Sequence, residues 1–436
     1  MDTSRRAFFI RGAGAASLLA GAAGPHSRLA AAKSNDQPGV KGRDYFPPPD
    51  SQGAWRTLTE PARIRKVTGM DIRRLDQAFE YTRTTSKHGG LLVARHGWLV
   101  YEKYFGRANR EVTPNMASCG KAFMSIACGI MLQERKDRIP EGLETKVFTN
   151  QYLPEALPLD DTRKANIKFG QLLAMSSGMA ESAGNPGIVR GENVKLESPP
   201  PRDPSLGQDE AALHVRLWTD PGGGYFYSSQ GSHVCSIVLR HIVGMELEAY
   251  IAEKLAKPMG FGGWGYGMTQ ANGSRLLHTP GGGGIAVRAT DALRFSYLLL
   301  HGGRWGKQQL VPAGYVELCS KPSPYNVHSP FSLQFEVNQD GHVFGAPRDT
   351  FFKSGAGGFC IYAVPSLDLA VYKMAVAGLG GGAYDLGFSH RTQSASQDSR
   401  DNWTPHPFNQ FVDGPIDGDA GTRRTLEMVV ASILDV

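Results

Sequence analysis

The sequence predicts an α/β (α+β) fold in which an antiparallel sheet, formed from both ends of the chain, is flanked by helices. Strand-like segments occur near residues 90–101 and again near 359–372, and between them residues of about 140–345 mix short helical patterns with Gly/Pro-rich loops. One sheet closed by the two chain ends, with a mostly helical subdomain inserted, fits this order better than a row of independent domains does.

Both strand-like segments have the pattern of a β-hairpin. Residues 90–95 and 98–101 flank a His-Gly pair, and residues 359–364 and 369–372 flank a Pro-Ser-Leu-Asp segment. Short apolar runs separated by such turn residues are typical of paired antiparallel strands. We therefore expect two hairpins, one from each end of the domain.

Helical patterns flank these hairpins. Apolar residues recur at helical spacing over about 70–84 and over 422–434, and residues 117–134 form a long apolar run that ends at a charged cluster. The first two segments predict amphipathic helices, and the third predicts a buried helix.

The N-terminal segment, residues 1–32, has the pattern of an export signal. Arg5-Arg6 form a twin-arginine pair, a weakly apolar Gly/Ala/Leu stretch follows, and Ala30-Ala31-Ala32 offers small residues to a signal peptidase. We expect a twin-arginine signal peptide that exports the folded protein to the periplasm or the cell exterior. A disordered basic tail is the alternative interpretation.

The remaining chain divides into an arm and one folded domain. Residues 33–60 are polar and contain Phe46-Pro47-Pro48-Pro49, which is typical of a linker or of an arm that wraps a surface. Residues 61–436 are expected to form a single domain.

Composition excludes several classes of function. Most of the formal charge of +6 lies in the first 33 residues, so the domain lacks the basic surface that nucleic acid requires. After the N-terminus, the sequence has no run of about 18 apolar residues, so no membrane span is expected in the mature form. The five cysteines include no Cys-x-x-Cys pair, which argues against a disulfide framework, a zinc site or redox chemistry.

The first chemically suggestive motif is Ser118-Cys119-Gly120-Lys121. On a helix, positions i and i+3 share a face, so Ser118 and Lys121 would be neighbours. A buried lysine with a lowered pKa can activate a serine hydroxyl, and the Ser118 N–H at the helix start can face an oxyanion. Alone the motif is weak, and a capped helix with a surface lysine is the ordinary alternative.

The second motif is Tyr227-Ser228-Ser229, which follows a Gly-Gly-Gly turn and precedes an apolar helix. A tyrosine held near ammonium groups can exchange protons with a nucleophile. A tyrosine that only anchors the loop is the alternative.

The third motif is Lys353-Ser354-Gly355-Ala356 on a strand interrupted by glycines. Glycine within a strand permits close approach of another backbone or a ligand. Lys353 would add positive charge, and the Ala356 N–H could be a second oxyanion donor. A bulged edge strand with an exposed lysine is the alternative.

Together the three motifs resemble the signature set of the β-lactamase and penicillin-binding-protein family of serine hydrolases: Ser-x-x-Lys, a Tyr-x-x loop, then Lys-Ser/Thr-Gly. The tyrosine resembles class C β-lactamases and their relatives, which include esterases, D-amino-acid peptidases and 6-aminohexanoate-dimer hydrolases. Residues 172–179 and 289–295 also resemble sequence segments of this family, and the resemblance extends from about residue 75 to the end.

The resemblance implies a β-lactamase/transpeptidase-like fold and an acyl-enzyme mechanism without a cofactor or metal. Ser118 would be the nucleophile, with Lys121 and Tyr227 as the acid/base pair, and Lys353 would orient Tyr227 or a substrate carboxylate. The N–H groups of Ser118 and Ala356 would form the oxyanion hole. The resemblance also implies that Ser229, Ser354 and Gly355 line the substrate site.

Two departures from class C enzymes bear on the substrate. Ser229 stands where those enzymes carry asparagine, and Ser354 replaces threonine. The first change argues against efficient β-lactam hydrolysis and favours an ester or small amide as the substrate. The alternatives are a β-lactamase, a D-Ala-directed peptidase, or a penicillin- or peptidoglycan-binding module that acylates without turnover. The oligomeric state is left open.

Other segments give weaker signals. The glycine-rich segment 278–284 lacks the Lys-Ser/Thr of a phosphate loop, so it is either a connector or a loop near the cleft. The histidines His328, His342 and His390 lack zinc-ligand spacing. Three aromatic residues could line an acyl pocket, although core packing is the commoner role for such side chains: Trp305, Tyr325 and Phe331.

Overall fold

The computed structural model describes residues 44–86, 88–106, 108–181, 186–197, 206–266, 276–375, 388–390, 404–405 and 421–434. The predicted signal peptide, the start of the arm and the side chain of His390 lie outside the described residues. Residues 35–436 cluster as one compact unit.

The strands are short outside the main sheet. They are β1 (Gly89–Arg95), β2 (Trp98–Phe105), β3 (Thr113–Pro114), β4 (Gly187–Val189), β5 (Glu192–Val194), β6 (Trp264–Tyr266), β7 (Ile285–Val287), β8 (Arg304–Trp305), β9 (Gln308–Gln309), β10 (Glu336–Val337), β11 (Phe351–Gly355), β12 (Phe359–Val364), β13 (Leu369–Met374), β14 (Phe388–His390) and β15 (Thr404–Pro405).

The main sheet joins the two ends of the chain, as the sequence predicts. Its six strands run in the order β10-β11-β12-β13-β1-β2, and every neighbouring pair is antiparallel. The N-terminal hairpin meets the C-terminal hairpin where β1 pairs with β13, with Gly90 opposite Met374 and Arg95 opposite Leu369. The turn between β1 and β2 has positive φ at both His96 and Gly97, which is the twist that two-residue hairpins favour.

The helices cover both faces of this sheet and form the inserted subdomain. They are α1 (Pro61–Thr68), α2 (Ile72–Thr85), α3 (Gly120–Glu134), α4 (Phe169–Leu173), α5 (Gln208–Leu213), α6 (Ser229–Val243), α7 (Leu247–Ile251), α8 (Lys257–Met259), α9 (Ala289–Leu300), α10 (Ala313–Cys319) and α11 (Thr422–Val430).

The strand β1 shows how the layers form. Its side chains alternate between the two faces of the sheet: Leu91 and Val93 join the core formed with α2 and α11, whereas Leu92 and Ala94 join the larger core formed with α3 and α9. Because both faces are covered, all seven residues of β1 are buried. This explains why the sequence shows a continuous apolar run there.

A buried ion cluster attaches the arm to α9. Arg294, whose side chain is fully buried, donates to Asp291 at 2.7 Å and to Asp50 of the arm at 2.7 Å. Arg288 donates from Nε to Asp291 at 2.9 Å and lies 3.4 Å from Asp50. Arg288 also lies 3.6 Å from Glu111, so both guanidinium groups of this cluster are paired with carboxylates.

Two further expectations concern helices and cysteines. In the described part of the chain, every helix is too short or too polar to cross a bilayer. All five cysteines are free and buried, which agrees with the prediction that they form no disulfide framework.

Candidate active site

Ser118 lies in a tight turn at the start of α3. Residues Ala117–Cys119 form a 3-10 turn, and the α-helix begins at Gly120, so the predicted helix 117–134 starts with a tighter turn than expected. Ala117 has a φ of +49°, a strained conformation for a residue with a Cβ. The Asn115 side chain holds this turn by accepting the Ala117 N–H at 2.9 Å. The backbone thus fixes the position of the serine.

Lys121 is fully buried beside Ser118. Its Nζ donates to Ser118 Oγ at 3.0 Å, to Ser229 Oγ at 3.0 Å and to the Gly282 carbonyl oxygen. Among the described residues, none of these acceptors is a carboxylate. Burial lowers the pKa of Lys121; Tyr227 and the Glu181 carboxylate oppose this shift without outweighing it, and the charge of Lys353 adds to it.

Tyr227 lies between two lysines. Its ring centroid is 5.0 Å from Lys121 Nζ and 4.7 Å from Lys353 Nζ, and its hydroxyl is hydrogen-bonded to Ser118 and Lys353. Burial alone would raise the pKa of Tyr227, but the two ammonium groups favour the phenolate and hold that pKa below its ordinary value. The tyrosine is therefore suited to accept the proton of Ser118.

Lys353 on β11 is the cation that stays charged. Burial opposes its charge, but the Tyr227 oxygen and the Glu336 carboxylate outweigh burial and raise the pKa of Lys353. Ser354 beside it donates its hydroxyl to Glu336 Oε1 at 2.5 Å. The Ser354 hydroxyl is thus bonded to the sheet edge formed by β10 instead of being free for a substrate.

Strand β11 packs directly against the Ser118 turn. A Cβ on Gly355 would lie 2.3 Å from the Met116 carbonyl oxygen, so only glycine fits there. On the same strand, the Lys353 carbonyl oxygen accepts a hydrogen bond from the Cys119 thiol, with an Sγ–O distance of 3.2 Å. Ala356, exposed, begins the turn that follows β11.

The second motif is held by the N-terminus of α6. Ser228 caps the helix by accepting the Gly231 N–H at 2.8 Å. Glu181 accepts the Ser229 N–H at 2.5 Å and the Gln230 N–H at 3.4 Å. Sequence reasoning missed Glu181. It follows the Ser-Gly segment of residues 172–179, but no spacing rule connects it to α6.

The glycine-rich segment 278–284 is a wall of the site. Gly282 supplies the carbonyl that accepts from Lys121, and the Gly284 N–H donates to the Ala117 carbonyl at 3.3 Å. A Cβ on Gly283, whose φ is +148°, would lie 2.9 Å from that same carbonyl oxygen. Of the two interpretations left open by the sequence, the loop beside the cleft is therefore the right one.

The three aromatic candidates for an acyl pocket lie in different parts of the structure. Phe331 lies at the site, with its ring centroid 5.6 Å from Lys353 Nζ and 6.4 Å from the Tyr227 ring. Trp305 packs on Phe46 of the arm, and the Tyr325 hydroxyl donates to Glu144 on the surface. Within the described ranges, no cluster of His, Cys, Asp and Glu is placed to hold a metal ion.

Comparisons with known proteins identify the family of this chain. The family model described as Beta-lactamase matches residues 75–379, a range that contains Ser118, Lys121, Tyr227 and Lys353. None of the curated protein sequences compared with this chain matches it significantly.

Three solved structures share the fold. A protein of Bacteroides dorei DSM 17855, provisionally classed as a beta-lactamase, superposes with a TM-score of 0.58 at 17% identity, covering 83% of this chain and 99% of that one. EstCE1, a hydrolase with promiscuous acyltransferase activity, has a TM-score of 0.56 at 16% identity, covering 83% and 98%. A Bacillus anthracis protein provisionally named a 6-aminohexanoate-dimer hydrolase has a TM-score of 0.54 at 17% identity, covering 76% and 81%.

Proposed function

This chain belongs to the beta-lactamase family, and we propose that it is a serine hydrolase that cleaves ester or small amide bonds through an acyl-enzyme on Ser118. One observation carries the proposal. Lys121 is fully buried and hydrogen-bonded to Ser118 Oγ, and its described hydrogen-bond acceptors include no carboxylate. A buried lysine without a directly bonded carboxylate is costly to keep charged, and its position beside a hydroxyl suits nucleophile activation.

Acylation follows from the arrangement of these groups. Ser118 Oγ attacks the substrate carbonyl carbon, and its proton passes to the Tyr227 oxygen, whose lowered pKa favours the phenolate. The carbonyl oxygen takes up the negative charge and accepts hydrogen bonds from the N–H groups of Ser118 and Ala356. The bond to the leaving group then breaks, and the Tyr227 hydroxyl returns the proton to the departing oxygen or nitrogen.

Deacylation reverses these proton transfers. Water attacks the acyl carbon and gives its proton to Tyr227. The Ser118 oxygen then leaves the acyl carbon and regains a proton from Tyr227. Lys121 donates to Ser118 Oγ and stabilises the charge that develops there. Lys353 keeps its charge throughout and holds the phenolate form of Tyr227.

The ester or small amide preference rests on Ser229 and on the fold relatives. Ser229 is bonded to Lys121 through its short hydroxyl, so it does not present the amide group that holds a β-lactam in class C enzymes. Among similar structures, EstCE1 is named as a hydrolase with acyltransferase activity. An ester is therefore the first substrate class to test.

Turnover kinetics distinguish the candidate functions. We expect steady hydrolysis of p-nitrophenyl butyrate and little hydrolysis of nitrocefin. Faster turnover of nitrocefin would instead favour a β-lactamase or D-Ala-directed peptidase. A stoichiometric burst with either compound, without later turnover, would identify a binding module and contradict the hydrolase proposal.

We also propose that residues 1–32 direct twin-arginine export, which the Arg5-Arg6 pair and the small residues near Ala30 support. Fractionation of cells that express the full chain tests this. The protein should leave the cytoplasm, and replacing both arginines by lysine should retain it there. Equal distribution of the two forms would contradict the proposal.

A further inference from the structure

The ring of His233, in the second turn of α6, contacts α5 on one side and the glycine-rich segment 278–284 on the other. It is 3% exposed. Its Nε2 lies 2.9 Å from Asp209 Oδ1, and its Nδ1 lies 3.1 Å from the Gly281 N. Burial raises the pKa of Asp209, but the hydrogen bonds and the electrostatic attraction of His233 and Arg240 outweigh burial and hold that pKa well below its ordinary value, so this carboxyl is ionised.

These two contacts determine which nitrogen carries the proton. An ionised carboxylate only accepts hydrogen bonds, so Nε2 must carry a hydrogen to donate to Asp209. A backbone N–H only donates, so Nδ1 must present a lone pair to Gly281. The ring is therefore neutral and protonated on Nε2 when both contacts are made.

Gly281 lies next to a residue of the candidate active site. The following residue, Gly282, supplies the carbonyl that accepts from Lys121. Two residues later the Gly284 N–H binds the strained Ala117 carbonyl at 3.3 Å. A shift of the Gly281 peptide would therefore move an acceptor of Lys121 and loosen the turn that holds Ser118.

We propose that His233 is a positioning residue for the reaction: by accepting the Gly281 N–H through Nδ1, it fixes the Gly282 carbonyl on Lys121. The inference rests on the proposed function, because it assigns to His233 an effect on the reactivity of Ser118. His233 does not touch the nucleophile and acts only through the loop.

Ser236 helps to hold the ring of His233 in place. Its Oγ lies 3.1 Å from Nδ1 and donates to the His233 carbonyl at 2.7 Å. The ring is therefore held by contacts on α5, on the glycine-rich segment and on its own helix.

The charged neighbours of His233 come from three elements. Asp209 of α5 faces Nε2, and Arg240 of α6 donates to the other Asp209 oxygen at 2.5 Å. In the glycine-rich loop, His278 lies 3.9 Å from Asp209 and binds Glu246 at 2.8 Å. Because His278 is also titratable, the experiment has to change His233 alone.

Three variants separate positioning from plain structural support. His233→Asn places an oxygen near the position of Nδ1, so it keeps an acceptor for Gly281 but does not titrate. His233→Ala removes the acceptor. His241→Asn is the matched control, because His241 lies on the same helix but pairs with Glu155 at 2.8 Å, away from the loop.

The measurements are the rate of fluorophosphonate labelling of Ser118 and the kcat and KM for p-nitrophenyl butyrate, each from pH 5 to 9. His233→Ala should lower the labelling rate and kcat about tenfold or more at pH 8, with KM within about threefold, because the loop loses a buried hydrogen bond. His233→Asn should keep both at pH 8 within about threefold of wild type. The His241→Asn variant should behave as wild type does.

The remaining outcomes distinguish failure of the proposed function from failure of the inference about His233. If the wild-type protein is not labelled at Ser118, the proposed function fails and the inference fails with it. If wild type is labelled but His233→Ala reacts equally fast, the inference alone is overturned. If His233→Ala does not fold, His233→Gln takes its place, because its longer amide reaches toward Asp209 and leaves no acceptor near the Gly281 N–H. A His233→Gln variant that is labelled as fast as His233→Asn overturns the inference.

Discussion

Two buried clusters of charged side chains in this protein have opposite electrostatic designs. At α9, Arg288 and Arg294 face Asp50 and Asp291, with direct ion pairs of 2.7–2.9 Å. At the start of α3, Lys121 and Lys353 surround Tyr227, and the described hydrogen bonds of Lys121 go to hydroxyl and carbonyl oxygens. In the first cluster both arginines form direct ion pairs with carboxylates, whereas in the second cluster the described hydrogen bonds of Lys121 include no carboxylate.

This difference indicates which cluster stabilises and which one reacts. Opposite charges in contact offset the cost of removing each other from water, so the ion-paired cluster fixes the arm on the domain. Around Ser118 the cost of burial is only partly offset for Lys121, and the lowered pKa values of Lys121 and Tyr227 are typical of sites that move protons. The comparison therefore predicts that damage to one cluster affects stability, and damage to the other affects chemistry.

The largest effect is expected from Ser118→Ala. Hydrolysis of p-nitrophenyl butyrate should fall by about ten-thousandfold or more, because no other group supplies the nucleophile. The matched control is Cys119→Ala. Burial raises the pKa of Cys119 to about 12, so this thiol is inert and most activity should survive its removal. Substantial turnover by the serine variant would refute the mechanism.

Lys121→Met should lower kcat by about a thousandfold, because the group that donates to Ser118 Oγ and favours the phenolate of Tyr227 is lost. The free energy of unfolding should change by about 1 kcal/mol or less, since relief of a buried ammonium group offsets the lost hydrogen bonds. Kinetics and denaturant titration of the same preparation measure both quantities. A large loss of stability would mean that Lys121 is a structural residue.

Arg294→Met should show the reverse pattern. Removing one partner of the ion-paired cluster leaves buried carboxylates unpaired and should cost about 3–5 kcal/mol of unfolding free energy. The kcat per folded molecule, determined by active-site titration, should stay within about twofold of wild type, because α9 does not contact the reacting groups. If kcat falls while stability holds, the assignment of the two clusters is wrong.

Lys353→Met should have the smallest effect, mainly on the pH profile. Without this cation the pKa of Tyr227 rises, so the phenolate forms only at higher pH and the acid limb of kcat moves upward. Activity at pH 7 should fall about tenfold and recover in part at pH 9.

Two controls sharpen this test. Lys353→Arg keeps the charge and should keep most of the profile. Lys373→Met removes another buried lysine of the same sheet, whose Nζ donates to the Gly358 carbonyl at 2.8 Å, and should leave the profile unmoved. Equal shifts in the Lys353→Met and Lys373→Met variants would show that the effect is not specific to Tyr227.

Much of the fold was predictable because its signals are local. The His96-Gly97 turn and the apolar runs around it specify one hairpin, and residues 359–374 specify the other. The extent of β2 to Phe105 was not predictable, since its outer residues are only partly buried. The start of α3 was also missed, because the strain at Ala117 depends on contacts with Asn115 and the glycine-rich loop.

The site was predictable only as far as its residues lie in sequence motifs. The three motifs predict Ser118, Lys121, Tyr227 and Lys353 as catalytic residues. In the structure these side chains lie together. Their positioning groups come from elsewhere in the chain. Glu181, Gly282 and Glu336 act through long-range contacts that no local pattern encodes.

The most direct test of the central claim is to label the purified protein with a fluorophosphonate and map the modified peptide by mass spectrometry. Because Lys121 and Tyr227 together activate one hydroxyl, the account predicts a single adduct on Ser118 that is lost in Lys121→Met. The folded Arg294→Met variant should still be labelled. An adduct at another residue, or equal labelling of Ser118 without Lys121, would contradict the account.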